Sequence, residues 1–174
     1  MAGNTKALRI RIKSVNSTLQ LTKAMELVAS SKIRRANEAM QKAREYTASL
    51  EKSISLLTSE KECLKSPYMR QTENPRTKII VIAGDRGLAG GFNSNVFKLA
   101  MARIDELGGQ DKVEILAIGK KAGEFFEKRG YTMAASYANI AESIKIRSAE
   151  EIADLIVTPY IKGVYNKAEL LYTE

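Results

Sequence analysis

The sequence contains no histidine, no tryptophan, one cysteine and only three prolines in 174 residues. Without histidine the chain lacks the commonest general base, the usual partner of a Ser or Cys nucleophile, and the imidazole ligands of most zinc sites. No catalytic residue, no cofactor and no metal ligand is therefore expected. The lone Cys63 forbids an internal disulfide and suits a reducing compartment. No run approaches the roughly 18 uncharged apolar residues of a membrane-crossing helix, and the first residues lack the make-up of a secretory signal. After Gly3, neither glycine nor proline occurs before Pro67.

That unbroken stretch, Thr5 to about Thr58, is expected to form one amphipathic helix. Alternate steps of four and three from Leu8 land on Ile12, Val15, Leu19, Thr22, Glu26, Ala29, Ile33, Ala36, Met40, Ala43, Thr47, Leu50, Ile54 and Leu57. All but Thr22, Glu26 and Thr47 are apolar. A 3.5-residue repeat belongs to a left-handed coiled coil, because a helix lying on a globular core drifts with period 3.6. At about 1.5 Å per residue the seam runs roughly 75 Å, so the helix is expected to project from a domain of this size. Its large side chains, Leu8, Ile12, Val15, Leu19, Ile33, Met40, Leu50, Ile54 and Leu57, are each worth about 1.5–3 kcal/mol if buried. No later stretch is long enough to cover them. The partner is a second copy, another protein, or a C-terminal helix that this sequence does not contain; a long helix laid on a larger core is the plain alternative.

The net charge is +8. Residues 1–35 hold Lys6, Arg9, Arg11, Lys13, Lys23, Lys32, Arg34 and Arg35 against the single acid Glu26, a net of +7, which leaves +1 for the rest. A basic tip on a neutral body suits an acidic partner: nucleic acid, an anionic membrane surface or acidic protein loops. A merely solvated basic face usually mixes both signs. Inside this zone Met25, Leu27 and Val28 place apolar groups around most of the helix circumference, and such a segment is expected to be enclosed on nearly all sides. A nucleic-acid-binding coiled coil is the competing reading, but the first aromatic, Tyr46, lies outside the basic zone, where base stacking would need one.

Three divisions are expected: a helix over 1–58, a connector over 59–76, and an α/β domain over 77–174. Thr77–Gly84 and Val113–Ile118 read as strands buried on both faces of a parallel sheet. Between them, Asn93 is the expected N-cap of a helix over 94–107. A short helix through Phe125 and Phe126 and a weak strand near 131–135 follow. Ser148 to Glu151 reads as a capping box, opening a helix whose inner face carries Ile152, Leu155, Ile156 and Tyr160; Pro159 is expected to kink or restart it. A last strand is expected to begin at Leu170 and to be cut off, as in a chain shortened from a longer one. Strand, glycine loop, helix, strand is a Rossmann-like βαβ unit, whose loop is a candidate phosphate cradle. The glycines at 84, 87, 90 and 91 do not form G-x-G-x-x-G, and no Lys-Ser/Thr follows at Walker spacing. The glycines instead suit a tight turn at the sheet edge, with Asp85 and Arg86 free to form either a local ion pair or a site.

Two long motifs carry a resemblance. Residues 22–35 (TKAMELVASSKIRR), followed by the loop of Asp85, Arg86, Gly87, Leu88, Ala89, Gly90, Gly91, Phe92 and Asn93, closely resemble the gamma subunit of bacterial F-type ATP synthase. The resemblance covers the whole chain and implies a rotor shaft rather than an enzyme. In that family the N-terminal helix pairs antiparallel with a C-terminal helix, absent here, and turns inside a ring of three alpha and three beta subunits. The Rossmann-like domain contacts the epsilon subunit and the membrane c-ring, on the cytoplasmic face of the bacterial plasma membrane. Nucleotide chemistry belongs to beta, so the resemblance implies no cofactor and no nucleic acid. It also implies that Lys23, Lys32, Arg34 and Arg35 meet acidic loops of the ring, and that Met25 and Val28 meet its apolar collar.

Overall fold

The structure, a computed structural model, describes residues 2–69, 72–87, 89–140, 144 and 146–173, and of residues 2–4 the backbone alone. The loop residue Leu88 and the terminal Glu174 lie outside the described residues. The chain divides into two compact units, one ending at Cys63 and one beginning at Leu64.

The first unit is helix α1 (Ala2–Thr58), 57 residues without interruption. Serine and threonine ordinarily compete with a helix for backbone partners. Here their hydroxyls are absorbed by it: Ser17, Thr18, Thr22, Thr47, Ser49 and Ser53 each donate to the carbonyl four residues back, at 2.9–3.0 Å. Two single 3-10 turns follow, Cys63–Lys65 and Pro67–Met69.

The second unit is a parallel sheet of β1 (Thr77–Ile82), β2 (Val113–Ile118), β3 (Met133–Tyr137) and β4 (Lys167–Leu171), in the order β3-β2-β1-β4. The intervening helices are α2 (Phe92–Glu106), α3 (Lys120–Glu127) and α4 (Ile146–Ile161). Strand alternation divides the core. Ile79, Val81, Val113, Ile115 and Ala117 meet Val96, Ala100 and Ile104 of α2 and Ala122 and Phe126 of α3, while Ile80 and Leu116 meet Ile152 of α4. The expected α/β, Rossmann-like class with a long N-terminal helix is the observed one.

Four local expectations are corrected. The N-cap of α2 is Gly91, not Asn93, and Asn93 lies inside the helix. Helix α4 begins at Ile146, so Ser148 is an interior residue rather than its N-cap. The last strand begins at Lys167, three residues before Leu170, and runs to Leu171, paired along β1. Finally, α4 runs through Pro159 without restarting. Proline has no N–H to offer the carbonyl four residues back. The buried Lys78 of β1 supplies the missing donor: its Nζ lies 2.8 Å from the Leu155 carbonyl. The same ammonium pairs with Glu114 at 3.0 Å and sits 4.9 Å from the centre of the Tyr165 ring. Tyr165 O–H in turn donates to the Ile156 carbonyl, and burial pushes its hydroxyl up to about 12.

Strand β4 is tied to α2 by a fork. Arg103 donates from Nε and Nη2 to the two oxygens of Glu169, each at 2.7 Å, and Lys167 adds a contact at 2.7 Å. The Arg103 hydrogen bonds hold the Glu169 carboxyl down at about 2. A carboxylate lowered in the folded chain stabilises it fully above the unfolded value near 4.3, and that contribution fades as pH falls toward 2. Glu169→Gln is expected to cost about 1–2 kcal/mol at pH 7. In hydrogen exchange of the sheet amides, the difference from the parent should narrow steadily from pH 5 toward pH 2; a gap that stayed constant across that range would reject the ionic origin.

Candidate functional site

Helix α1 holds all the residues singled out on the basic tip and the seam. The nine large seam side chains are between 44% and 61% exposed, although each is the kind of group that folding usually buries. Met25 and Val28 are exposed as well, and Leu27 reaches 74%. Lys23, Arg34 and Arg35 are exposed beside them. Arg34 reaches Glu38 one turn on at 4.0 Å, a solvated pair of little energetic weight. The helix thus presents two kinds of surface: a largely apolar seam from Leu8 to Leu57, and a short girdle of apolar groups edged with cations.

The glycine loop stands where open parallel sheets place their ligands, beyond the carboxyl end of β1, beside which the strand order reverses. Its polar groups are turned on one another. Asp85 Oδ1 accepts from Lys120 N at the first residue of α3 and from Asn139 N after β3, both at 2.8 Å. A carboxylate therefore occupies the end of α3 where a phosphate would sit. It also steadies Asn139, whose φ of 59° is a left-handed conformation that asparagine tolerates. Asn93 Oδ1 accepts from Gly84 N at 2.8 Å, and its Nδ2 donates to the Arg86 carbonyl at 3.3 Å. Asp85 is thus committed to backbone N–H groups, and Arg86 and Gly87 are exposed. Gly90, at φ 55°, and Gly91 lead into α2.

Gly119 closes this corner. Its N–H donates to the Tyr137 carbonyl at 2.7 Å, and Ala83 N–H donates to the Ile118 carbonyl at 2.8 Å. The residue has φ +99°, and a Cβ there would lie 1.9 Å from the Ala83 carbonyl oxygen. The loop is thus a tie between the ends of β1, β2 and β3 rather than a cradle. Among the described residues no group of His, Cys, Asp and Glu is placed to hold a metal ion, and no helix is long and apolar enough to cross a membrane. Asp85 as an α3 cap, and Lys78 as the stand-in for an amide, were not read from the sequence. A lysine inside the strand run Thr77–Ile82 and a proline inside an amphipathic helix were the available signals.

A protein-family model described as ATP synthase matches residues 4–174. The chain is 43% identical over 173 residues to a protein of Ruminococcus albus and 34% identical over 171 residues to one of Desulforamulus reducens, in each case across 98% of this chain. It is 40% identical over 167 residues to one of Alkaliphilus metalliredigens, across 96% of this chain. All three carry the name ATP synthase gamma chain. This chain spans 57–59% of their length.

Proposed function

The chain belongs to the ATP synthase family, with gamma chains as its relatives, and on that premise we propose that it is a central-stalk rotor subunit of an F1Fo ATP synthase. Helix α1 is one half of the shaft and turns inside a ring of alpha and beta subunits, coupling proton flow to ATP synthesis. The observation that carries this is the exposed seam, a 3.5-residue apolar repeat sustained along one 57-residue helix. An antiparallel C-terminal helix of the same subunit is its occupant. Residues 1–58 then serve as shaft, 59–76 as connector and 77–174 as the domain facing epsilon and the c-ring, at the cytoplasmic face of the bacterial plasma membrane. The subunit is not itself catalytic, since nucleotide is handled on beta, and nucleic acid is not among its partners.

The basic girdle suits a bearing. Exposed ion pairs are worth about 0.2–1 kcal/mol each, so Lys23, Lys32, Arg34 and Arg35 engage acidic loops of successive subunits without being trapped at one. Met25 and Val28 slide within an apolar collar. Weak contacts permit turnover; strong ones stall it. Arg35→Glu replaces attraction with repulsion on a helix face where it breaks no intrahelical packing. In the native complex in inverted vesicles, proton pumping per ATP hydrolysed is expected to fall at least twofold, with helical content unchanged. Normal coupling in that variant would remove Arg35 from the contact surface.

A further inference from the structure

The apolar seam of α1 calls for a partner helix, and the order of side chains along it fits a second copy of itself. Charge sets the direction. A parallel pair would hold two tips of net +7 side by side at the roughly 8–10 Å spacing of packed helices, within about one Debye length at 0.1 M salt. Residues 36–58 carry Lys42, Arg44 and Lys52 against Glu38, Glu45 and Glu51, a net of zero. Antiparallel pairing lays each basic tip along this neutral half of the other copy and sends the two tips to opposite ends.

The seam then selects a register. Heptad repeats slide past one another in steps of seven, so only a few alignments keep seam on seam. When Ile12 is set opposite Leu57, Val15 meets Ile54 and Leu19 meets Leu50, which gives layers of paired large side chains toward both ends. Nearer the middle each small residue faces a longer one, Ala29 against Met40 and Ala36 against Ile33. Thr22 faces Thr47. Both hydroxyls already donate within their own helix at 2.9 Å, so enclosing that layer strands no donor. Glu26 falls opposite Ala43, whose methyl leaves the carboxylate a way out to water. A slip of one heptad, with Ile12 opposite Leu50, undoes the match: Thr22 then faces Met40 and Thr47 faces Val15. The matched layers run over residues 12–57 of both copies, wholly within α1. Every layer occurs twice, as a two-fold interface requires.

We propose that the seam binds a second copy of this chain, antiparallel and in this register. Self-association and docking of a C-terminal helix then compete for the same side chains. The pairing needs α1 alone and stands independently of the rotor function.

The test uses the whole 174-residue chain carrying Cys63→Ser. Sedimentation equilibrium in the micromolar range is expected to show a dimer. Leu19→Ser, which changes two layers at once, is expected to raise its dissociation constant at least tenfold, and Ile10→Ser, off the seam, less than threefold. Direction and register are read by cross-linking with a short bis-thiol reagent: Leu19→Cys and Leu50→Cys chains are expected to join when mixed, and neither to join with itself. A chain that stays monomeric throughout the micromolar range would overturn the proposal, as would single-cysteine chains that cross-link to themselves. Should Leu19→Ser lose helical content as well, the cross-linking pattern decides.

Discussion

Gly119→Ala is expected to destabilise the sheet unit severely while leaving α1 helical. Two costs fall on the same atom. At φ +99° any Cβ is strained, which costs about 1–3 kcal/mol. At 1.9 Å from the Ala83 carbonyl oxygen the methyl also collides with backbone, which moves only by breaking the ties from Ala83 N to Ile118 and from Gly119 N to Tyr137. Overpacking of that kind adds roughly 1–3 kcal/mol or more. Against a domain stability on the order of 5–15 kcal/mol, the combined loss of about 2–6 kcal/mol is a large share of the margin. Since α1 dominates the helical signal, the informative readout is amide hydrogen exchange in β1 and β2, where protection is expected to drop by two orders of magnitude or more. Gly87→Ala is the matched control: its Cβ meets nothing within 4 Å and its φ is not positive, so protection should be unchanged.

The second large effect concerns docking rather than folding. Ile12 and Ile54 lie on the seam, at 54% and 50% exposure; Ile10 and Leu56 lie off it, at 63% and 64%. In the chain as seen here all four are solvated, so serine at any of them should change the isolated helix little. Once a partner helix covers the seam, Ile12 and Ile54 lose their water and Ile10 and Leu56 keep theirs. Ile12→Ser with Ile54→Ser is therefore expected to weaken docking by about 3–6 kcal/mol, two buried aliphatic side chains' worth. Ile10→Ser with Leu56→Ser should cost well under 1 kcal/mol. The measurement is the fraction of subunit retained in the complex on dilution. Equal losses from the two pairs would mean that the helix is covered all round and that its 3.5 repeat has no special occupant.

The seam was legible because periodicity is a property of neighbours in the sequence, and so were β1 and β2, whose runs TKIIVI and VEILAI are apolar on both faces. Strand β4 was half hidden for a physical reason. It is an edge strand that opens with Lys167 and carries Glu169, a carboxylate made tolerable in the sheet by the Arg103 fork from α2 together with Lys167. Asn93 was misread as a cap because asparagine fits one, yet its amide is recruited by Gly84 N and the Arg86 carbonyl, and the helix starts before it. Ser148 failed in the same way: the capping pattern is present, but α4 already extends past it. Pro159 signalled an orphaned carbonyl. What the sequence could not show is that its donor, Lys78, comes from a strand 77 residues away. Local signals locate elements; the side chains that fasten them together come from far along the chain.

The most direct measurement is a thiol-protection scan of α1 in the native complex, with Cys63 replaced by serine and single cysteines placed in turn from Leu8 to Leu57. Alkylation rates are expected to dip at Ile12, Val15, Leu19, Ile33, Met40, Leu50 and Ile54, tracing a period of 3.5 residues along the helix, with a broader dip across Met25 to Val28 if the proposed collar encloses the girdle. Uniform reactivity along the helix, or minima that drift around it with period 3.6, would mean that no partner helix follows the seam, and the shaft would lose its physical basis.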